Sequence, residues 1–251
     1  MTIGDYRTAD MAVGGQGAPL TPYGDFIMFR HASKGRIVQN IGGIGNCASI
    51  PASAAPEQVI AFDTGPGNMI MDQAAFVLSG GTKTYDHSGE WAAKGIVNES
   101  LLQEMLQHPY FKMKPVKTTG REVFGKQYTG LWIDKARAEG LSPEDIMATL
   151  TAFTAHTIAT SYQDFIFPSS VIHEVIVSGG GAHNRTLMHM LATLLPEQKV
   201  LKSDDIGVSS DAKEAVAFAI FGNNYIHGEP NNLPAATGAA HPTIMGKLAF
   251  P

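Results

Sequence analysis

The sequence predicts an α/β domain, and three observations carry that prediction. Its 27 glycines gather into short clusters that follow or interrupt β-type runs, the punctuation of α/β nucleotide-binding folds. Helical segments with recognisable starts and stops separate short runs rich in valine and isoleucine. With 251 residues, 44% hydrophobic and 16% charged, the chain can also bury a real core.

In chain order, residues 36–41 read as a strand, Gly42-Gly43 as a turn and residues 46–50 as the returning strand, which makes a hairpin with a glycine tip. Residues 58–62 read as a third strand running into Asp63-Thr64-Gly65-Pro66-Gly67-Asn68. A helix is expected over 69–78, with Asn68 as N-cap and Gly80-Gly81 as the stop. Residues 98–108 look helical up to Pro109. Ser142-Pro143-Glu144-Asp145 supplies a hydroxyl cap, a first-turn proline and acids at the positive dipole end of a helix continuing through Ile146, Leu150, Phe153 and Ile158. Residues 174–178 form a short buried strand, followed by Gly179-Gly180-Gly181-Ala182-His183-Asn184 and a helix over 185–195. A strand over 199–202 and a helix over 211–225 complete the pattern.

The formal charge of -5 gives no basic field for phosphate backbones, so nucleic acid is not an expected partner. The single cysteine, Cys47, has no internal disulfide partner, no Cys/His cluster stands at metal-ligand spacing, and no site residue is assigned to a metal. No secretory leader or membrane-length apolar run is read, which makes the cytoplasm the expected location and a membrane an unexpected partner.

Gly42-Gly43-Ile44-Gly45-Asn46 could close backbone N–H groups on phosphate oxygens or could be an ordinary tight hairpin. Gly179 to Asn184, between a strand and a helix, could hold an anion or a ribose-phosphate edge, or could serve a close strand–helix crossing. Asp63, expected at a strand's end before a glycine loop, is placed to act as a base or to cap the loop. Arg7, Asp10 and Gln16 lie in a polar, glycine-rich stretch whose donors and acceptors suit sugar hydroxyls, or which is a surface loop. Glu214 borders a small, apolar helix face and is either a helix-end charge or a ligand contact. His156 reads as an ordinary helix residue, and the eleven methionines as core filler.

Taken together, Gly14-Gly15-Gln16-Gly17-Ala18-Pro19-Leu20, Asn40-Ile41-Gly42-Gly43, Phe62-Asp63-Thr64-Gly65-Pro66-Gly67-Asn68, Lys117-Thr118-Thr119-Gly120-Arg121-Glu122 and Gly179 to Asn184 occur in the order of the anhydro-N-acetylmuramic acid kinase family, which the whole chain resembles. Gly45 stands where that family commonly has a small hydroxyl residue, and Val116 where it usually has proline. The resemblance implies a ribonuclease-H-like (actin-like ATPase) lobe, a mixed sheet flanked by helices. It implies that residues 1–251 form the C-terminal nucleotide- and sugar-binding lobe, with 1–30 as an inter-lobe, substrate-side segment and the family's N-terminal lobe absent.

By resemblance, the reaction uses ATP and magnesium (Mg2+) to open the small-molecule sugar 1,6-anhydro-N-acetylmuramic acid and phosphorylate its sixth oxygen. Asp63 matches the catalytic aspartate, and Gly65 and Asn68 lie beside substrate and phosphate. Gly42, Gly43 and Asn46 match a phosphate hairpin, and Gly179, Gly180, Gly181 and Asn184 an adenosine loop. Arg7, Asp10, Gln16 and Glu214 would lie near the sugar. A homodimer is the family's expected assembly. With the other lobe absent, this chain alone is expected to be inactive; the alternative reading is a truncated, non-catalytic nucleotide- or sugar-binding lobe or a pseudoenzyme. A dehydrogenase-like nucleotide binder is opposed by the lack of a Gly-x-Gly-x-x-Gly turn.

Overall fold

A computed structural model describes residues 2–250. The chain opens with β1 (Thr2–Gly4), α1 (Thr8–Ala12) and α2 (Thr21–Phe29), then forms β2 (Arg36–Ile41), β3 (Ile44–Ile50) and β4 (Ile60–Pro66). Five helices follow: α3 (Met69–Leu78), α4 (Glu99–Met105), α5 (Arg121–Phe124), α6 (Lys126–Ala138) and α7 (Pro143–Phe165). The second half comprises β5 (Glu174–Ser178), α8 (Arg185–Leu194), β6 (Lys199–Lys202), α9 (Lys213–His227), α10 (Pro234–Thr237) and β7 (Lys247–Ala249).

The main sheet has the order β4-β3-β2-β5-β6. Its first three strands are an antiparallel meander, and β5 and β6 extend it in parallel from β2. Each parallel step requires a crossover, which the helices before β5 and α8 provide. A meander extended by two parallel strands, with helices on both faces, is the ribonuclease-H-like lobe that the family resemblance implies.

Period-two alternation sorts the strand residues between two cores. Ile37, Ile41, Cys47, Phe62, Val175 and Val177 pack with the α3, α7 and α8 side. Val38, Ala48, Ala61 and Ile176 pack on the opposite face with Phe26 and Phe29 of α2 and Ala236 of α10. The second half of the segment 1–30 therefore contributes directly to the sheet's core.

Ser142 caps α7 as expected, its hydroxyl accepting the Asp145 N–H at 3.1 Å. Two expectations are corrected. The third strand begins at Ile60 because Pro56–Gln58 forms a tight turn, and it continues past Asp63 to Pro66. Asn68 does not cap α3 with its side chain; its Nδ2 donates instead to the Ile41 carbonyl at 3.0 Å. Helix α6 escaped the sequence reading, although its buried Thr129, Trp132, Ile133 and Ala136 have helical spacing.

Candidate active site

Asp63 lies within β4, where a bulge re-aims it. Gly45 pairs with Gly65 and Asn46 with Asp63, so Thr64 is the extra residue. Thr64 is fully buried, and its hydroxyl accepts Gln39 Nε2 at 3.3 Å. The registers Ser178–Asn40, Asn40–Asn46 and Asn46–Asp63 align four polar side chains across the sheet. Alternation places this row beyond Val38, Ala48 and Ala61, on the α2 and α10 face.

The stretch 110–119 holds Asp63 from the free edge of β4. The Asp63 N–H donates to the Lys117 carbonyl at 3.0 Å, and its own carbonyl accepts the Tyr110 hydroxyl at 2.6 Å. Asp63 Oδ2 accepts the Thr119 N–H at 2.9 Å. Lys117 anchors this stretch: its ammonium is buried among the rings of Phe165, Tyr110 and Phe62, at 4.7, 4.8 and 5.8 Å. It donates to the carbonyls of Tyr110 and Phe111 at 3.3 and 3.4 Å. Burial lowers the Lys117 pKa to about 8. Burial also raises the Asp63 pKa to about 6, against the pull of the Thr119 N–H. A carboxylate so placed is suited to exchange a proton near neutral pH. Tyr110, Lys117 and Thr119 had no assigned role in the sequence reading, although Lys117 to Glu122 was conspicuous in it.

The hairpin tip caps α3. The Gly43 carbonyl accepts the Gly67 and Met69 N–H groups at 3.0 and 3.2 Å, and the Gly42 carbonyl accepts the Asn68 N–H at 2.7 Å. These contacts meet the helix's orphan donors and fix the glycine tip. Gly65 is buried at φ +133, and a Cβ there would lie 2.9 Å from Phe111 Cε1. It lets Phe111 pack closely against the strand.

After β5 the backbone turns at Gly179, φ +80. Gly181 is packed so closely that a Cβ would meet Ile41 Cγ2 at 2.3 Å, whereas Gly180 is exposed and its Cβ would find only Asn68 Nδ2 at 3.3 Å. Asn184 caps α8, its Oδ1 accepting the Leu187 N–H at 2.9 Å. Beside these residues is a cleft of about 600 Å³, lined by Asn68, Asp72, residues 84–88, Gly180, His183 and Asn184. That volume suits a nucleoside-sized ligand. Asp63, Asn46, Gly42, Gly43, Asn68, Gly180 and Asn184 thus lie along one stretch of contiguous structure.

The N-terminal candidates are organised differently. Asp10 has no exposed surface: its Oδ2 accepts the Gly17 N–H at 2.9 Å, and its Oδ1 accepts Asn232 Nδ2 and the Thr237 hydroxyl at 2.8 Å each. It holds the glycine loop in place and presents nothing to a sugar, which corrects its assignment. Arg7 and Gln16 are exposed; Arg7 Nη1 donates to the Gly17 carbonyl at 2.6 Å, and the Gln16 N–H to the Thr237 carbonyl at 2.9 Å. Glu214 is exposed in the first turn of α9, whereas the neighbouring Lys213 is buried and pairs with Asp25 at 3.0 Å. Glu214 is thus a helix-end charge, favourable to the dipole, and its carboxylate is open to solvent.

Among the described residues no helix is long and apolar enough to cross a membrane, and no three His, Cys, Asp or Glu side chains converge as a metal site.

The family model described as anhydro-N-acetylmuramic acid kinase matches residues 1–251. The chain is 48% identical over 250 residues to the anhydro-N-acetylmuramic acid kinase of Caldanaerobacter subterraneus subsp. tengcongensis, covering 100% of this chain and 63% of that protein. It is 48% identical over 254 residues to the kinase of that name from Bacillus cereus, covering 99% and 65%. The chain thus spans just under two thirds of the length of these relatives. Among solved structures, an activator of 2-hydroxyisocaproyl-CoA dehydratase from Clostridium difficile with bound ADPNP aligns at 13% identity and a TM-score of 0.49, covering 80% of this chain and 68% of that one. On the family match over its whole length, this chain belongs to the anhydro-N-acetylmuramic acid kinase family.

Proposed function

We propose that this chain is the lobe bearing the catalytic aspartate of an ATP-dependent kinase acting on 1,6-anhydro-N-acetylmuramic acid. In this reading water adds to the anomeric carbon as the bond from that carbon to the bridging sixth oxygen breaks. The freed oxygen takes the γ-phosphoryl group, giving N-acetylmuramic acid 6-phosphate and ADP, and Asp63 takes the proton from water. Magnesium belongs to the reading only as a companion of the ATP phosphates.

The observation that carries the proposal is Asp63 itself: a carboxylate raised to about 6, held by the Thr119 N–H on one oxygen, and linked through Asn46 and the glycine tip to Asn68, which lines a nucleoside-sized cleft. At neutral pH such a group is mostly ionised yet more basic than an exposed aspartate. Arg7 and Gln16 are exposed and could orient sugar hydroxyls. Phosphoryl transfer depends on donors arranged around the transferred group. A chain with 63% of its relative's length supplies, in this proposal, one side of that arrangement.

The test is Asp63→Asn in a kinase assembled from this chain and the remaining third of a relative. Nucleotide binding should persist and turnover should fall ~10²–10⁴-fold, the usual worth of a positioned base. Undiminished turnover would end the assignment.

A further inference from the structure

Asp72 is a carboxylate without a partner. It lies one turn into α3, half-buried, and its side chain makes no hydrogen bond or ion pair with any described residue. Burial raises its pKa to about 6. The other carboxylate of the cleft, Asp86, is occupied: its two oxygens accept the Trp91 and Ala92 N–H groups at 2.9 Å each. A partly desolvated acceptor facing a cleft is costly unless something bound there supplies donors.

Position identifies those donors. Asn68 ties the hairpin tip to the Gly180 turn, its Nδ2 donating to the Ile41 carbonyl and lying 3.3 Å from where a Gly180 Cβ would stand. Asp72 is four residues further along the helix, a rise of about 6 Å. In a nucleoside diphosphate the ribose is the unit joined to the phosphates, and the base lies beyond it. Phosphates at the glycine turns would bring the sugar's hydroxyls over Asp72 and the base along residues 84–88, which line the same cleft. We propose that Asp72 recognises the nucleotide by accepting hydrogen bonds from its ribose 2′- and 3′-hydroxyls. The inference rests on reading the cleft as the nucleotide site.

The experiment is calorimetric titration of this chain with ADP and with 2′,3′-dideoxy-ADP, repeated on Asp72→Ala, Asp72→Asn and Gly180→Val. The chain should bind ADP about ten- to a hundredfold more tightly than the dideoxy compound, the range for hydrogen bonds to a charged acceptor. Asp72→Ala should remove most of that difference and leave the dideoxy affinity unchanged. Asp72→Asn, which keeps the shape and one acceptor, should remove part of it, and it carries the test should the alanine variant fail to fold by thermal unfolding. Equal affinities for the two ligands in the parent, or undiminished discrimination in the Asp72 variants, overturn the ribose role while leaving the nucleotide site standing. Absence of ADP binding, or an ADP affinity indifferent to Gly180→Val, overturns the nucleotide reading and this inference with it.

Discussion

Asp63 is costly to the folded chain at the pH where it would act. Its pKa is raised from 3.8 to about 6, so between those values the native state holds more proton than the unfolded chain. Stability contributed by the protonated group is present at acid pH and is lost as pH rises through about 6. Asp63→Asn keeps an acceptor for the Thr119 N–H without a buried charge. It should therefore be more stable than the parent near pH 8, with the gain gone by about pH 4, as read by urea unfolding. A gain that is absent, or that grows towards acid, would contradict the burial argument. Turnover in an assembled enzyme should show the complementary pattern and decline as pH falls through about 6. At this scale the sequence singled out Asp63 by its place before a glycine loop, but it gave no sign that Asp10 is buried. The partners that bury Asp10, Asn232 and Thr237, are 222 and 227 residues away, and no local pattern announces so distant a contact. In α9 a one-residue difference decides the matter: Lys213 points inward and Glu214 outward.

At the scale of elements, the turn after β5 uses its three glycines differently: Gly179 and Gly181 are closely packed and Gly180 is exposed. Gly179→Ala meets a positive φ and the Ile41 carbonyl 2.8 Å from its new Cβ, and should cost ~1–3 kcal/mol in denaturant unfolding. Gly180→Val is exposed and should leave stability near the parent's while weakening ADP binding. Reversal of that order would show that the turn is misassigned. The pairing of α2 with α9 offers a second test. Asp25 and Lys213 form a buried ion pair with both side chains 5% exposed. Removing only the carboxylate, as in Asp25→Ala, should cost ~3–5 kcal/mol because an unpaired ammonium stays buried. An apolar replacement of both residues should cost much less; equal losses from the single and double variants would contradict this. Strands β2, β5 and β6 and helices α3 and α7 were legible because composition, caps and glycines agree locally. The β1–β7 pair was not, since two three-residue strands from opposite ends of the chain carry no periodicity.

At the scale of the molecule, the sheet order makes one lobe with a polar row at its edge, and the family match extends over all of it. The α/β class was readable from the residues, whereas the ribonuclease-H-like topology came through resemblance, because strand order depends on crossovers that single segments do not encode. The relatives are about half as long again as this chain. In the proposed reading, ATP bound to this chain alone meets too few of the donors that align its γ-phosphate. The most direct measurement is ADP release dependent on 1,6-anhydro-N-acetylmuramic acid. It should be made side by side on this chain, on the chain joined to the remaining third of a relative, and on the joined protein carrying Asp63→Asn. The chain alone should give no turnover, the joined protein should turn over, and substitution of Asp63 should lower that rate ~10²–10⁴-fold. Comparable turnover from the chain alone, or full activity without the Asp63 carboxylate, would contradict the proposed reading.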